Sequence, residues 1–348
     1  MSVLKNIWDT AWPIIVAILS FLIMIAIHEF GHFSVAKLTG IRVNEYSIGF
    51  GPAIFKKKRG ETLYALRVLP FGGFCSMEGE DEESGDPRAF CNAKAWRRLL
   101  VILAGAVFNI LLGVIIVMII LSSQKVFVST TVAEFNENSV SSEYGLKEND
   151  KIISVNGRSI HTAYDLSYQF SNVEDGKLDM TVLRDGKKVE LPSVKFDTEK
   201  IDGMSYIKID FKFYGIRKTF ASFISQSFKT TLSYELTVWR SLVDLISGKY
   251  GISAVSGPVG VTAAMTSAVR AGLSRLLPIL ALITINLGIF NLLPVPALDG
   301  GRALFILIEM IIGKPVPQKY ESAVHTVGFV LIMAFAVFIS IKDIIALF

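Results

Sequence analysis

Four stretches of this chain are apolar over a length that fits a lipid bilayer. A helix needs about 20 apolar residues to cross the hydrocarbon core, and the stretches of about this length are residues 11–33, 99–121, 276–293 and 324–348. The first has no strongly basic start and no small-x-small cleavage site, so we expect it to be retained rather than removed as a signal peptide. The sequence therefore predicts an α-helical polytopic membrane protein with about four transmembrane helices.

The composition agrees with a membrane protein and argues against a nucleic-acid partner. Of 348 residues, 51% are hydrophobic and only 19% are charged, a smaller charged share than soluble domains have. The formal net charge is +4, and the sequence has no arginine-rich face interleaved with aromatic residues, so we expect no nucleic-acid binding. Cys75 and Cys91 lack a CxxC neighbour, and we expect both to be reduced thiols.

Lysine and arginine are distributed unevenly between the loops, which predicts the orientation of the chain. Residues 34–100 are rich in both, whereas only Lys5 precedes the first span. Cytoplasmic loops carry the excess of positive charge, so we expect this loop in the cytosol. In the inner (plasma) membrane, both termini and residues 122–275 would then lie outside, and a short loop at residues 302–319 would lie inside.

Two regions between the spans have β-strand patterns. The stretch "IFKKKRGETLYALRVLPFGGFCSMEGE" predicts a membrane-associated β-hairpin, with the Lys-Arg-Gly-Glu turn between its strands. The acidic run "EGEDEESGDP", residues 78–87, predicts a solvated loop. In residues 130–213, short alternating strands separated by Asn-Gly and Asp-Gly turns, with the helical stretch "AYDLSYQF" between them, predict an inserted α+β domain.

Within this domain, "YGLKENDKIISVNGRSI" resembles the PDZ family, whose sheet edge and helix form a groove for extended peptides. Asn149 stands where PDZ sequences usually have glycine, and no glycine-rich loop precedes it, so capture of a terminal carboxylate is not expected. The predicted layout is an N-terminal membrane region at 1–121, a PDZ-like extracytoplasmic domain at 130–213, an amphipathic membrane-surface segment at 214–275 and a C-terminal membrane region at 276–348. The amphipathic segment could alternatively pack against the PDZ-like domain.

The stretch "HEFGH", residues 28–32, puts three costly polar side chains inside the first apolar segment. An ionisable group at membrane depth costs on the order of 2.5–3.5 kcal/mol, so these residues predict a functional site. His28 and His32 project from one helix face and can share one tetrahedral metal ion, while Glu29 points to the side as a potential base. The alternative is a chance pair of structural histidines.

Catalytic zinc generally takes three protein ligands, so a third residue is needed. Asp299 in "NLLPVPALDGG" is the candidate because Pro294, Pro296 and the Gly300-Gly301 pair break the helix after the third apolar segment. The predicted orientation brings Asp299 and the HEFGH stretch to the same cytosolic side of the membrane. Two histidines and an aspartate would also hold cobalt or iron.

These motifs together resemble the site-2 protease family of intramembrane zinc metalloproteases. The resemblance rests on "HEFGH", on "AGAVFN" in the second span, on the PDZ-like insertion, on "SGPVGV" before the third span and on "NLLPVPALDGG". Within that family, the sequence resembles most strongly the bacterial regulator-of-sigma-E protease type with a single PDZ domain. The resemblance implies one catalytic Zn²⁺ ion held by His28, His32 and Asp299, with Glu29 as the catalytic base.

The resemblance also implies the substrate and its contacts. The substrate would be a single-pass membrane protein cut within or near its transmembrane segment, such as an anti-sigma factor already trimmed by an upstream site-1 protease, or a remnant signal peptide. Asn291 would orient the substrate strand. The hairpin would pair with an unwound substrate by edge addition, and the PDZ-like domain would gate access by size. Because water must reach a site below the membrane surface, the hairpin with its Gly72-Gly73 bend is also a candidate for a mobile entrance, and we expect both glycines among the substrate-binding residues.

Two other functions fit parts of the pattern. A metal transporter or a pseudoprotease scaffold would bind a metal without hydrolysis, but such a site needs ligands and no positioned base, so the intact Glu29 argues against it. A soluble-type zinc protease merely anchored to a membrane is disfavoured, because both halves of the predicted site lie at membrane spans.

Overall fold

The computed structural model of the chain describes residues 2–171, 173, 175–201, 204–248 and 251–346. It separates into two units, of which the first combines Met1–Ile116 with Asp244–Phe348 and the second is Val117–Val243. The second unit contains the predicted inserted domain, and the first contains the residues of the predicted site.

The secondary structure alternates long helices with two groups of strands. In chain order the elements are α1 (Ser2–Leu38), β1 (Val43–Arg59), β2 (Thr62–Met77), α2 (Ala95–Ser122), β3 (Val126–Phe135), α3 (Val140–Glu143), β4 (Lys151–Val155), β5 (Arg158–Ser159), α4 (Ala163–Gln169), β6 (Lys177–Arg184), β7 (Lys187–Lys195), β8 (Thr198–Ile201), β9 (Met204–Ile207), β10 (Phe211–Arg217), α5 (Phe220–Ile246), α6 (Pro258–Ala271), α7 (Leu273–Asn291), α8 (Asp299–Ile312) and α9 (Gln318–Ile345).

Within the described residues, four helices are long and apolar enough to cross a membrane, which confirms the predicted number. They belong to α1, α2, α7 and α9, and the apolar portions are Ala11–Leu38, Ala95–Ser122, Leu273–Asn291 and Lys319–Ile345. The predicted last span extends to residue 348, and its final two residues lie outside the described residues. The chain therefore has the architecture of a polytopic membrane protein with an inserted β-rich domain.

The region after α7 contains a helix that the sequence did not predict. Helix α7 ends at Asn291, as the two prolines suggested, but Gly300 and Gly301 lie inside α8 rather than breaking a helix. A Cβ at either glycine would lie 2.5 Å or less from a backbone carbonyl of the preceding turn, so glycine is needed for this close approach. Residues 302–312 were expected in a loop. They form a helix too short to span a bilayer, whose apolar face packs inward.

Strands β1 and β2 form the predicted hairpin, with a more elaborate pairing than a simple ladder. Strand β1 bends at Gly49 and Gly51, which have left-handed φ values of 85° and 83°. Because of this bend, Tyr46 lies opposite both Tyr64 and Cys75. The hairpin thus becomes a small sheet, and in the described pairings residues 73–77 of β2 form one of its edges.

The acidic run at residues 78–87 is a loop, as predicted, and half of its residues are exposed, while others are held by specific contacts. Glu78 accepts hydrogen bonds from Asn44 and Ser84 at 2.8 and 2.6 Å, and Asp86 pairs with Arg42 at 2.9 Å. Their partners include side chains that are far away in the sequence, and a local charge pattern contains no information about such contacts.

The inserted domain is built on one antiparallel sheet with the strand order β10-β3-β4-β6-β7, and β5 pairs with β4. Its apolar core includes Val132, Leu166 and Phe196, and the predicted helix corresponds to α4. Asn149 has a left-handed φ of 69°, so an asparagine here adopts a conformation that glycine adopts most easily. The PDZ assignment of this domain stays a prediction.

The predicted surface segment 214–275 divides into two helices with different neighbours. Helix α5 packs on α4 within the second unit, which is the alternative placement that the sequence allowed. Ser233 donates to the buried Asp165 at 2.7 Å, Arg240 pairs with the same carboxylate at 3.5 Å, and the rings of Tyr164 and Tyr234 contact edge to face. Several apolar residues of α5 remain exposed. The contact of α5 with a membrane surface stays a prediction.

Helix α6 instead packs against α1, α7 and α9 in the first unit. Asp343 of α9 accepts hydrogen bonds at 2.8 Å from the backbone N–H groups of Gly257 and Gly260, at the start of α6. A carboxylate is favourable at a helix N-terminus because the N–H groups there have no partners within the helix. The "SGPVGV" motif therefore fixes α6 to the last helix.

Candidate metal centre

Helix α1 brings two histidine side chains together. His28 and His32 are four residues apart, so they lie on one face of the helix, and they are only 8% and 7% exposed. Their Nε2 atoms lie 3.2 Å apart. Two N–H groups pointed at each other would repel at this distance, so at least one Nε2 atom presents its lone pair.

Asp299, the first residue of α8, completes the group. Its Oδ2 atom lies 3.0 Å from Nε2 of His28 and 3.3 Å from Nε2 of His32. The turn between α7 and α8 makes this possible, since it directs the carboxylate back toward α1. The structure therefore brings together the three side chains that the sequence suggested as metal ligands.

The three atoms have the separation that a tetrahedral ion requires. Zinc binds nitrogen and oxygen ligands at about 2.0–2.1 Å, and ligands at that distance and at tetrahedral angles lie roughly 3.3–3.4 Å from one another. The three separations observed here are 3.0, 3.2 and 3.3 Å. A shift of a few tenths of an ångström accommodates the ion, so His28, His32 and Asp299 fit a zinc site.

Helix α2 supports both imidazoles from the other side. The Nδ1 atom of His32 lies 2.8 Å from the backbone oxygen of Val101, and a carbonyl can only accept, so Nδ1 carries the proton and Nε2 keeps its lone pair. A Cβ atom at Gly105 would lie 2.3 Å from Nε2 of His32 and 2.7 Å from Cε1 of His28. The imidazoles therefore occupy the space that any larger residue at 105 would need.

Glu29 lies beside the edge of the small sheet. A Cβ at Gly73 would lie 3.4 Å from Cγ of Glu29, so the side chain of Glu29 lies against this edge. Glu29 is not one of the three clustered ligand residues. A carboxylate that lies next to the group without belonging to it remains available to exchange protons.

A cavity of about 1210 Å³ contains these side chains. The three clustered residues and Glu29 line it together with residues 74–77 of β2, and it continues along the acidic run, α8 and α9. The cavity is large enough for several residues of an extended peptide, and both the sheet edge and the carboxylate face it.

Comparisons with known proteins match the sequence of this chain to one family over nearly the whole length of the chain. Residues 16–335 match the model of peptidase family M50, the site-2 proteases. The chain belongs to this family. The resemblance seen in the sequence is thereby confirmed, and with the four apolar helices it identifies the chain as an integral membrane protein.

Individual relatives support the same assignment. A Clostridium perfringens protein provisionally named a zinc metalloprotease is 39% identical over 336 residues, which cover 95% of this chain and 98% of the relative. The zinc metalloprotease RasP of Geobacillus kaustophilus is 29% identical over 97% of this chain and 98% of its own length. The regulator of sigma-W protease RasP of Bacillus subtilis is 28% identical over 96% of this chain and 99% of its own length.

In this site-2 protease family member, ion pairs join the walls of the cavity. Arg302, one turn after Asp299 on α8, contacts Glu80 and lies 2.7 Å from Asp81 of the acidic run. Arg98 of α2 pairs with Glu309 at the other end of α8. These pairs fix α8, and with it Asp299, against two separate elements of the first unit.

The remaining predicted site residues have different surroundings. Gly72 has a left-handed φ of 92°, and a Cβ there would lie 2.2 Å from the ring of Phe50, so glycine is needed at the bend. Asn291 donates from Nδ2 to the backbone oxygen of Leu287 at 3.0 Å, within its own helix. Its role toward a substrate stays a prediction. Burial, together with the charge of Glu29, raises the pKa of the Cys75 thiol, so Cys75 remains protonated.

Sequence reasoning suggested the three clustered residues but missed the groups that support them. Val101, Gly105 and Asn109 of α2 contact or closely approach the histidines, and His325 of α9 contacts the turn before Asp299. Gly105 and Asn109 lie in "AGAVFN". Their spacing of four residues puts both on one helix face, and this pattern could have indicated that the face lies against the site. His325 had no such signal.

Proposed function

We propose that this chain is an intramembrane zinc metalloprotease that hydrolyses peptide bonds within or near the transmembrane segments of single-pass membrane proteins. The observation that carries the proposal is the convergence of His28, His32 and Asp299, with mutual distances of 3.0–3.3 Å, beside the carboxylate of Glu29. The two histidines lie on α1, which is apolar enough to span a membrane, and Asp299 follows α7, which is as well.

His28, His32 and Asp299 would hold one catalytic Zn²⁺ ion. When bound, zinc acts as a Lewis acid that makes water a better nucleophile at neutral pH and polarises a carbonyl oxygen. The names of relatives as zinc metalloproteases favour zinc over cobalt or iron, which the same ligands could bind.

Glu29 would act as the catalytic base. Its carboxylate takes a proton from the attacking water and delivers it to the leaving amine as the peptide bond breaks. The close approach of Gly73 to Cγ of Glu29 keeps this carboxylate beside the sheet edge. A substrate bound along that edge would therefore have its scissile bond next to the base.

The edge of the small sheet would bind the substrate as an added strand. A transmembrane substrate is helical, and its carbonyls are bonded within the helix, so it must open before hydrolysis. Residues 73–77 of β2 pair with β1 on one side and line the cavity. Main-chain bonds to this edge would replace those the substrate loses on unwinding, and Gly72 and Gly73 would allow its entry.

The active site would open toward the cytosol. The excess of lysine and arginine in residues 34–100 favours this side for β1, β2 and the acidic run. Both termini and the inserted domain would then lie outside in the plasma membrane. The inserted domain would restrict access to substrates already shortened by a site-1 protease, and Asn291 would orient the substrate strand.

Anti-sigma factors are the substrate class that we favour, with remnant signal peptides as a further class. The Bacillus subtilis relative is named a regulator of sigma-W protease, and anti-sigma factors with one transmembrane segment would connect such regulation to membrane proteolysis. The lipid bilayer is the medium that presents the substrate.

The test compares wild type with Glu29→Gln as full-length protein in detergent. The zinc content of each is measured, together with cleavage of a model single-pass peptide whose transmembrane segment contains helix-weakening residues. Glu82→Gln serves as the matched control because it makes the same change at an exposed carboxylate. We expect both variants to retain zinc and only Glu29→Gln to lose cleavage.

Two results would contradict the proposal. If wild type binds zinc but cleaves none of several helix-weakened peptides, a metal transporter or a scaffold becomes the better explanation. If Glu29→Gln cleaves as fast as wild type, Glu29 is not the base, and the assigned mechanism is wrong.

A further inference from the structure

Each histidine of the centre has a second ring nitrogen, and α2 faces both of these nitrogens. The Nδ1 atom of His32 faces the carbonyl oxygen of Val101 at 2.8 Å. The Nδ1 atom of His28 faces the side-chain amide of Asn109, with Nδ2 at 3.2 Å. Asn109 is fully buried, and its other amide atom, Oδ1, has no hydrogen-bond partner among the described residues.

The proton positions required for metal binding conflict with this orientation of the amide. A neutral imidazole has one proton, so a histidine that offers the lone pair of Nε2 carries its proton on Nδ1. For His32 that proton points to an acceptor. For His28 it would point to the NH₂ group of Asn109, and two donors would then face each other.

Rotating the Asn109 amide by half a turn removes the conflict. The oxygen and nitrogen of an amide occupy nearly the same space, so the rotation changes no packing. It places Oδ1 against Nδ1 of His28 and gives that buried oxygen the partner it lacks. The environment of Asn109 thus matches a histidine whose Nε2 is a ligand.

We propose that Asn109 is a positioning residue for the metal centre, whose Oδ1 accepts the proton of His28 Nδ1 and so fixes the tautomer and ring orientation of that ligand. The inference rests on the proposed zinc site. Histidine ligands commonly have such a partner, and its loss typically costs about 10–100-fold in metal affinity.

The position of Asn109 in the fold suits this role. Asn109 lies four residues after Gly105 and eight after Val101, so the three share one face of α2. Thr284 of α7 donates to the backbone oxygen of Asn109 at 3.3 Å. Asn109 is therefore held between the helix that carries the histidines and the helix that leads to Asp299.

The experiment measures zinc affinity by competition with a chelator, using full-length protein in detergent. Asn109→Leu keeps the approximate size and removes the acceptor, whereas Asn109→Asp keeps an acceptor in the same position. Asn286→Leu is the matched control, because Asn286 of α7 also has a buried Oδ1 without a described partner and no described hydrogen bond to either histidine. Melting temperatures in excess chelator show whether each variant folds without metal.

We expect Asn109→Leu to bind zinc about 10–100-fold more weakly than wild type. The zinc affinities of Asn109→Asp and Asn286→Leu should be higher than that of wild type or lower by no more than roughly threefold, well inside the loss expected for Asn109→Leu. The Co²⁺-substituted proteins should show the same order in the intensity of their visible absorption. Rescue by aspartate distinguishes an acceptor from a residue that only fills space.

The inference is overturned if Asn109→Leu retains wild-type zinc affinity, or if Asn109→Asp is as weak as Asn109→Leu while both fold. It also fails if wild type binds no zinc. Failure of the proposed protease function looks different, since zinc binding would then follow the expected order while wild type cleaves no peptide.

Discussion

The backbone N–H of Ala297 donates to Nδ1 of His325 across 2.9 Å. This bond joins α9 to the turn that directs Asp299 into the metal centre. Ala297 has a left-handed φ of 73°, a conformation that a non-glycine residue adopts at a cost and that neighbouring contacts must maintain. Gly328, one turn after His325, packs so closely on Pro296 that a Cβ there would lie 2.4 Å away. The last helix therefore helps to position a proposed metal ligand that it does not contain.

Replacing His325 by leucine should weaken zinc binding. The substitution removes the acceptor of the Ala297 N–H and leaves a poorly solvated donor in a strained turn, which costs about 1–3 kcal/mol. The turn can relieve this cost by moving, and Asp299 would move with it. We expect a loss of zinc affinity of about tenfold, comparable to the effect of other groups that orient metal ligands, measured by chelator competition.

His325→Asn is the informative comparison for this prediction. An asparagine side-chain oxygen can occupy nearly the position of Nδ1 and accept the same bond. It should restore most of the affinity. Equal weakening in both variants would mean that the imidazole ring packs in place rather than accepting a bond.

Gly105→Ala should abolish the metal centre while leaving the helix intact. The added methyl group would lie 2.3 Å from Nε2 of His32, inside any normal contact distance, and it would displace the ligand. Alanine favours a helix over glycine by about 1 kcal/mol, so loss of zinc cannot result from a weaker α2. We expect unchanged helical circular dichroism with little zinc and no peptidase activity.

Val107→Ala provides the control on the same helix, because Val107 is 45% exposed and faces away from the buried site. It should retain zinc. Full zinc occupancy in Gly105→Ala would show that the imidazoles can move aside, and the role given to Gly105 would be incorrect.

The apolar segments and the clustered residues that we propose as metal ligands could be predicted because each depends on a local pattern. A run of about 20 apolar residues is long enough to be a span wherever it occurs, and the four-residue spacing of His28 and His32 fixes their common face. Asp299 could be chosen because two prolines marked the end of a helix before it. These features need no knowledge of the distant parts of the chain.

The supporting contacts could not be predicted, because each depends on a partner distant in sequence. The bond from Ala297 to His325, the pairing of Arg302 with Glu80 and the bond between Ser233 and Asp165 all connect different elements. Their residues look ordinary in sequence. For this reason the sequence did not predict which side chains the acidic run and α5 contact.

The turn of the hairpin should contribute stability that depends on pH. The pKa of Glu61 is lowered from 4.5 to about 2 by a hydrogen bond from Arg88, which has the larger effect, and by one from Lys37. Nζ of Lys37 lies 2.6 Å from Oε1 of Glu61. A lowered pKa means that the folded state favours the ionised carboxylate. The contribution is therefore complete above the unfolded pKa of 4.5 and is lost as the pH falls toward 2.

Comparing Glu61→Gln with wild type between pH 7 and pH 3 measures this contribution. The side chain of Glu61 is 28% exposed, so solvent screens the pairs and the effect should be about 1 kcal/mol or less. The variant should melt at a lower temperature than wild type at pH 7, and the difference should shrink steadily below pH 4.5. Glu82→Gln, at an exposed carboxylate, should show no such trend. A difference that stays constant down to pH 3 would mean that the amide disturbs packing at the turn and that the charge of Glu61 contributes little.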